Sequence, residues 1–455
     1  MRFLVFTFLV LVWLRSVAPA QTLTVGNGAL GLQTTPGATN HVWADPAPTN
    51  TVFDRWVGDV SVLTDAYAWH TTAIMPATSA VVSATYKSAP AWSATTHILN
   101  GLAEGDPSAV RLIYYFPPNP VGVIFRFHGG GGTATSFFIK AEDFTFARDA
   151  AAAGYAVAAL DSTDRVNKQW DSSGTSSNVD VASVQSAINY FVGLGLMTAN
   201  TPKFAIGMSN GGGFAPKPTY YLGFRACGIF CSSGQPAQIF NLTTAPTIWS
   251  LARNDDLYDH TTFLPNATTN LASLNAHGIT GEIRENLPSP VYPRRFQRIA
   301  GFTAANSQTI YNSLKTGGFL DAQDFLLADP NTSGWLAALP PGFAPYQSDI
   351  EGQLDCCYSA HQFYSDFDNK VLQLFGARRP PVAGRGAIRS IVRQPGGAIL
   401  LTIAADAGQD YRVQASPDLA AWTTLFTSTY SGGTFDLMDA TAPTYTRRFY
   451  RTVSP

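Results

Sequence analysis

Two glycine-rich segments carry the residue types that acyl-group chemistry needs. In Gly207-Met208-Ser209-Asn210-Gly211 a serine stands between two glycines at the end of the apolar run 203–207. A serine so placed can project its hydroxyl from a sharp strand-to-helix turn, because the flanking glycines remove side chains that would collide there. With a base to take its proton, that hydroxyl becomes a nucleophile toward a carbonyl carbon. The second segment, His128-Gly129-Gly130-Gly131-Gly132, lies about 80 residues upstream at the end of the run 123–127. Backbone N–H groups of a glycine turn can aim at an anionic oxygen without obstruction. The segment lacks the Gly-Lys-Ser/Thr ending of a phosphate loop and the spacing of a dinucleotide fingerprint, so a developing oxyanion is its expected guest. Gly130 and Gly131 are the expected loop donors, joined by the N–H of Asn210 directly after the serine.

Such groups need a rigid frame. Strand-like apolar runs at 122–127, 155–160, 203–207, 227–231 and 247–251 alternate with helical stretches at 141–153, 179–194 and 362–375. That order predicts an α/β fold, a doubly wound and mostly parallel sheet covered by helices, over residues 93–376.

The serine turn and the glycine loop together resemble the secreted esterases of the α/β-hydrolase superfamily, with polyhydroxybutyrate-depolymerase-like and feruloyl-esterase-like proteins the nearest groups. The resemblance covers roughly residues 93–376 and implies a chain order of nucleophile, acid, histidine. It places the acid about four residues past the strand 247–251, which matches Asp255; Asp256 and then Asp259 are the alternatives. His361 is the histidine well after the acid, in a loop that opens the final helix, whereas His260 shares the acid's own loop and His277 ends a predicted helix. In this scheme Ser209 attacks, His361 moves the proton and Asp255 holds the imidazole's tautomer. Neither a metal nor an organic cofactor is required. Trp170, Trp249 and Tyr258 are expected to line an aromatic or acyl subsite. An insertion at 285–355, with helices predicted at 307–314 and 321–327, is expected beside the site as a cap or wall.

At 455 residues, 45% hydrophobic and 13% charged, the chain exceeds one ordinary core and has the composition of folded domains. Arg2, the apolar run 3–14 and Ala18-Pro19-Ala20 read as an export signal over 1–20, which implies a secreted, periplasmic or cell-surface protein. The run is shorter than the about 20 residues a membrane span requires. Removing Arg2 and Arg15 from the 29 basic residues leaves 27 against 31 acidic ones, which argues against nucleic acid as a partner. Residues 22–87 read as a small all-β unit. Through Phe53 to Asp59, Met75-Pro76-Ala77 and the run 81–87 it resembles an internalin-type B-repeat, with Arg55 where that family has glycine; a spacer or attachment role at a cell surface or polysaccharide is implied. After a Pro- and Arg-rich linker at 377–385, period-2 alternation around Tyr411, Val413 and Ala415 predicts a C-terminal β module over 386–455.

Cys227, Cys231, Cys356 and Cys357 suit an exported protein with one or two disulfides, and a bond from Cys227 or Cys231 would tie the His361 loop to the sheet. Two different functions stay open beside ester hydrolysis: peptidase or amidase chemistry on the same fold, and a non-catalytic surface-binding role.

Overall fold

The computed structural model describes residues 23–235, 237–255, 260–377, 387–405, 410–429 and 433–453. The expected export signal, nearly all of the 377–385 linker, and Asp256, Tyr258 and Asp259 lie outside the described residues. Among the described residues no helix is long and apolar enough to cross a membrane.

The central sheet has eight strands: β1 (Thr95–Ile98), β2 (Arg111–Tyr115), β3 (Val123–Phe127), β4 (Ala156–Leu160), β5 (Lys203–Met208), β6 (Ala226–Phe230), β7 (Thr247–Ala252) and β8 (Gly281–Asn286). Their spatial order is β8-β7-β6-β5-β3-β4-β2-β1. Neighbours from β4 through β3 to β8 pair in parallel, and β2 runs antiparallel to both β4 and β1. Every residue of β3, β4, β6 and β7 is buried, the pattern of strands covered on both faces.

The covering helices are α1 (Ala141–Ala152), α2 (Val179–Gly193), α3 (Asn210–Phe214), α4 (His260–Ala276), α5 (Ala304–Thr316), α6 (Gln347–Tyr358) and α7 (Asp368–Ala377). On one face Val184 and Phe191 of α2, Phe214 of α3 and Leu274 of α4 pack against Phe125, Phe127 and Trp249. On the other, Phe146 of α1 and Phe375 of α7 pack against Ile124, Phe204 and Phe230. The chain therefore adopts the expected doubly wound α/β-hydrolase class, with further small β-sheets at both ends.

Two predicted helices differ. The final one begins at Asp368, not at 362, because Phe363 and Tyr364 leave the helical path to enter the core at 2% and 0% exposure. The one expected at 321–327 is a tight turn. There the Asp321 carboxylate accepts from the N–H groups of Gln323 (2.8 Å) and Phe325 (2.9 Å), and Asp324 takes a φ of +67°.

Upstream of β1 lie two three-stranded sheets, Leu23–Gly26, Ala80–Ser88 and Thr51–Gly58 in one, Gly28–Leu30, Thr39–Ala44 and His70–Ile74 in the other. Between them Val42, Trp43, Trp56, Trp69 and Val82 form a core that also takes in Tyr292 from beyond β8. Trp43 stacks on Tyr292 at 4.6 Å, the Arg298 guanidinium lies 3.9 Å from the Trp69 ring, and His70 Nδ1 meets Asp366 Oδ2 at 2.6 Å. Asp65 is bonded by Asn369 (3.0 Å) and Lys370 (3.2 Å) of α7. The N-terminal sheets are thus packed onto the α/β core along a broad seam. Near the C-terminus two more three-stranded sheets close over Leu401, Ile403 and Val413.

Candidate active site

β5 ends beside β3, with Gly207 paired to Phe127, so the serine turn and the glycine loop leave the sheet side by side. Parallel sheets open their crevices at such C-terminal edges, where the strand order reverses. Ser209, between β5 and α3, has φ +55° and ψ −120°, a strained conformation costing about 1–3 kcal/mol. Its backbone N–H donates to Phe230 O at 2.8 Å, which holds the turn to β6. The flanking glycines are obligatory. A Cβ on Gly207 would stand 1.9 Å from Gly211 O, and one on Gly211 would stand 2.1 Å from Phe127 O.

Asp255 follows β7, and His361 follows α6, whose end is set by Ser359 at φ +65°. The two meet: His361 Nδ1 and Asp255 Oδ2 are 2.7 Å apart, with side chains 7% and 1% exposed. The acid's loop and the histidine's loop are laced together by further bonds. Arg253 N–H donates to Ser359 Oγ (2.8 Å), Asn254 N–H to Ser359 O (2.8 Å), and the Asn254 amide to Tyr358 O (2.8 Å). Ser209, Asn210, His361 and Gly130 line one cleft of about 450 Å³.

The glycine loop is shaped by His128. Its Nδ1 donates to Gly129 O at 2.7 Å and its Nε2 accepts from Ser162 N–H at 3.1 Å, an arrangement that needs the neutral ring. Burial lowers its pKa to about 4, against the upward pull of Gly129 O and Asp161. A Cβ on Gly129 would lie 3.4 Å from Ser209 Cβ, so the loop passes directly against the serine. Gly131 departs from expectation: its N–H donates to Lys168 O at 3.2 Å and is already engaged. Gly130 faces the cleft, overlain by the Gln169 amide, which a Cβ at 130 would meet at 2.5 Å.

Two of the expected substrate contacts are core residues. Trp249 is fully buried, its indole N–H on Ser233 O at 3.0 Å. Trp170, 3% exposed, stacks on Phe214 at 4.6 Å; its indole N–H donates to His128 O (2.8 Å) and its backbone N–H to Asn210 Oδ1 (2.8 Å). It braces the loop and Asn210 instead of meeting a ligand. Tyr258 lies outside the described residues. The wall is built from side chains the sequence did not single out, Lys140, Gln169, Gln362 and Phe363 among them. Among the described residues none from 285–355 lines this cleft; Ser348 to Asp355 of α6 instead border a smaller cavity that shares Lys140, Asp143 and Gln362 with it. The insertion flanks the site.

The expected disulfides are not formed: all four cysteines are buried free thiols. Cys231 and Cys356 share one small cluster, but their sulfurs turn to different carbonyls, Gln362 O at 3.2 Å and Phe363 O at 3.6 Å. Cys357 packs into the insertion's core and Cys227 into the sheet. Cys231, Asp255 and His361 bring their potential ligand atoms within 4.8 Å of one another. Burial and then the Asp255 charge push the Cys231 thiol well above its ordinary pKa.

No family model matches the chain, and no curated protein matches it in sequence. Solved structures similar to it include acetyl xylan esterase from Aspergillus awamori (14% identity, TM-score 0.32, 41% of this chain and 81% of that one). Dienelactone hydrolase from Anabaena variabilis is similar at 16% identity and TM-score 0.31, over 43% of this chain and 85% of that one. Brefeldin A esterase, a bacterial homologue of human hormone sensitive lipase, is similar at 15% and 0.30, over 43% and 68%. Scores this low say nothing of activity; the fold rests on the sheet order above.

Proposed function

We propose that this chain is a serine hydrolase that cleaves carboxylic esters through an acyl-enzyme, exported after loss of residues 1–20. The observation that carries the reading is the His361–Asp255 pair at 2.7 Å, opening onto the same cleft as a serine held at φ +55°.

Ser209 Oγ adds to the ester carbonyl carbon while His361 Nε2 takes the hydroxyl proton, and the carbonyl oxygen becomes an oxyanion held by the N–H groups of Gly130 and Asn210. Collapse expels the alcohol, which receives that proton from His361. Water then adds to the acyl-enzyme with His361 again as base, and the carboxylic acid leaves as Ser209 is reprotonated. Asp255 keeps the imidazole proton on Nδ1 and stabilises the imidazolium between the two transfers.

The cleft wall favours a polar ester with a short acyl group. Lys140, Gln169, Gln362 and Ser136 offer hydrogen bonds, and Phe363 is the one phenyl or indole ring on it among the described residues. Labelling of wild type by a fluorophosphonate, abolished in Ser209→Ala, tests the nucleophile; a folded wild type that takes no label would sink the reading. A panel of acetyl, butyryl and feruloyl esters tests the acyl preference, which is wrong if feruloyl esters turn over fastest.

A further inference from the structure

A short segment after β4 is tied to both halves of the oxyanion site. Lys168, at φ +53°, accepts the N–H of Gly131 on its carbonyl at 3.2 Å, which fastens one end of the segment to the glycine loop. Trp170 fastens the other end: its backbone N–H donates to Asn210 Oδ1 and its indole N–H to His128 O, each at 2.8 Å. Gln169 stands between these ties. Its backbone is therefore held, while its exposed side chain lines the cleft with Ser209 and Asn210. The carboxamide lies over Gly130, with Nε2 2.5 Å and Oε1 3.2 Å from where a Cβ at 130 would stand. Among the described residues it hydrogen-bonds to no protein group.

An amide donor so placed, beside one of the two N–H groups that meet the developing charge, has a chemical use. A carbonyl oxygen offers two lone pairs, which the N–H groups of Gly130 and Asn210 suffice to fill. When the carbon becomes tetrahedral, the oxygen carries a full charge and a third lone pair that a third donor can take. We propose that Gln169 is a catalytic residue whose Nε2 donates this third hydrogen bond to the oxyanion. The bond forms as the ester carbon is attacked and is absent from the bound ester, so it lowers the barrier without tightening substrate binding. The role rests on the esterase reading of Ser209. A methyl group at 130 would displace the amide, which is one reason for the glycine there.

Steady-state kinetics of the full chain on 4-nitrophenyl acetate test this, beside fluorophosphonate labelling and the binding of a trifluoromethyl ketone, whose carbonyl takes up the serine to give a tetrahedral oxyanion. Gln169→Met keeps the length of the side chain and removes the donor, and Gln169→Glu sets a negative charge in its place. Each is expected to lower kcat about 10²-fold, the order lost with one oxyanion donor, with KM within about twofold and thermal melting unchanged. Affinity for the trifluoromethyl ketone should fall by a similar factor, which loss of a mere surface contact would not cause. Folded variants that keep more than about a third of the wild-type kcat, or that lose it with ketone affinity intact, overturn the role of Gln169 and leave the esterase reading of a labelled wild type standing. A folded wild type that takes no fluorophosphonate brings down that reading and this role together.

Discussion

Arg298 Nε donates to Glu142 Oε1 at 2.8 Å, with Glu142 4% exposed. Burial alone would raise the Glu142 carboxyl; Arg298 and Arg295 reverse this and hold it well below the usual carboxylate range. Its other oxygen accepts from Ser365 Oγ at 2.5 Å, four residues after His361. One carboxylate therefore joins α1, the chain beyond β8 and the histidine loop. Glu142→Ala leaves two arginines buried without a counter-charge and is expected to cost about 3–5 kcal/mol in urea denaturation. A loss under about 1 kcal/mol would show that the cluster holds nothing together.

Asp255→Asn keeps the shape of the pair but not its charge. The expected result is a fall in kcat of about 10³–10⁴ on a short acyl ester, with the thermal midpoint within a few degrees of wild type. Retention of more than a tenth of the activity would move the acid role elsewhere, Asp256 first.

His128 and His41 make acid a threat to the fold. Burial lowers His128 to about 4 and His41, which also faces His70, to about 3. An unfolded histidine takes up its proton below about 6.5. At these two rings the unfolded chain therefore binds protons that the folded one refuses, and the stability they contribute is complete above pH 6.5 and drains as pH falls toward 4. The thermal midpoint of wild type minus that of His128→Gln, followed from pH 8 to 4, should fall as this contribution is lost. A difference constant over that range contradicts the buried neutral ring of His128.

The glycines divide by cause. At Gly211 a methyl group would strike Phe127 O at 2.1 Å and His128 O at 2.5 Å, backbone atoms with no room to give. Gly211→Ala should cost more than about 4 kcal/mol or prevent folding. Gly131 has open space around it and only its φ of +74° to satisfy, so Gly131→Ala should cost about 1–2 kcal/mol. Thermal midpoints that rank the two in the opposite order would refute this.

What was legible in the sequence is what local geometry dictates. Glycines two positions either side of Ser209 are demanded by the turn itself, and continuous apolar runs announced the strands buried on both faces. What escaped depends on partners distant in the chain. Nothing near Gly131 tells that Lys168 O occupies its N–H. Trp170 and Trp249 have the composition of a ligand wall, yet large apolar rings serve the core equally well, and their indole donors found carbonyls there. Four cysteines in a chain with a leader-like start suggest bridges, but the direction of each thiol is set by tertiary packing. The contacts between α7 and the N-terminal sheets were invisible for the same reason.

That seam has a consequence for how the protein is made. His70 waits for Asp366, 296 residues further on, and Asp65 for Asn369, 304 residues further on. At about 5–20 residues per second of synthesis, the interval is on the order of 15–60 seconds. The first sheets can close over their own tryptophans within that time, with the face meant for α7 still bare. The histidine loop emerges after the serine turn and the acid loop and arrives together with the surface that covers that face, so the newborn chain gains its imidazole and the shelter of its seam in one step.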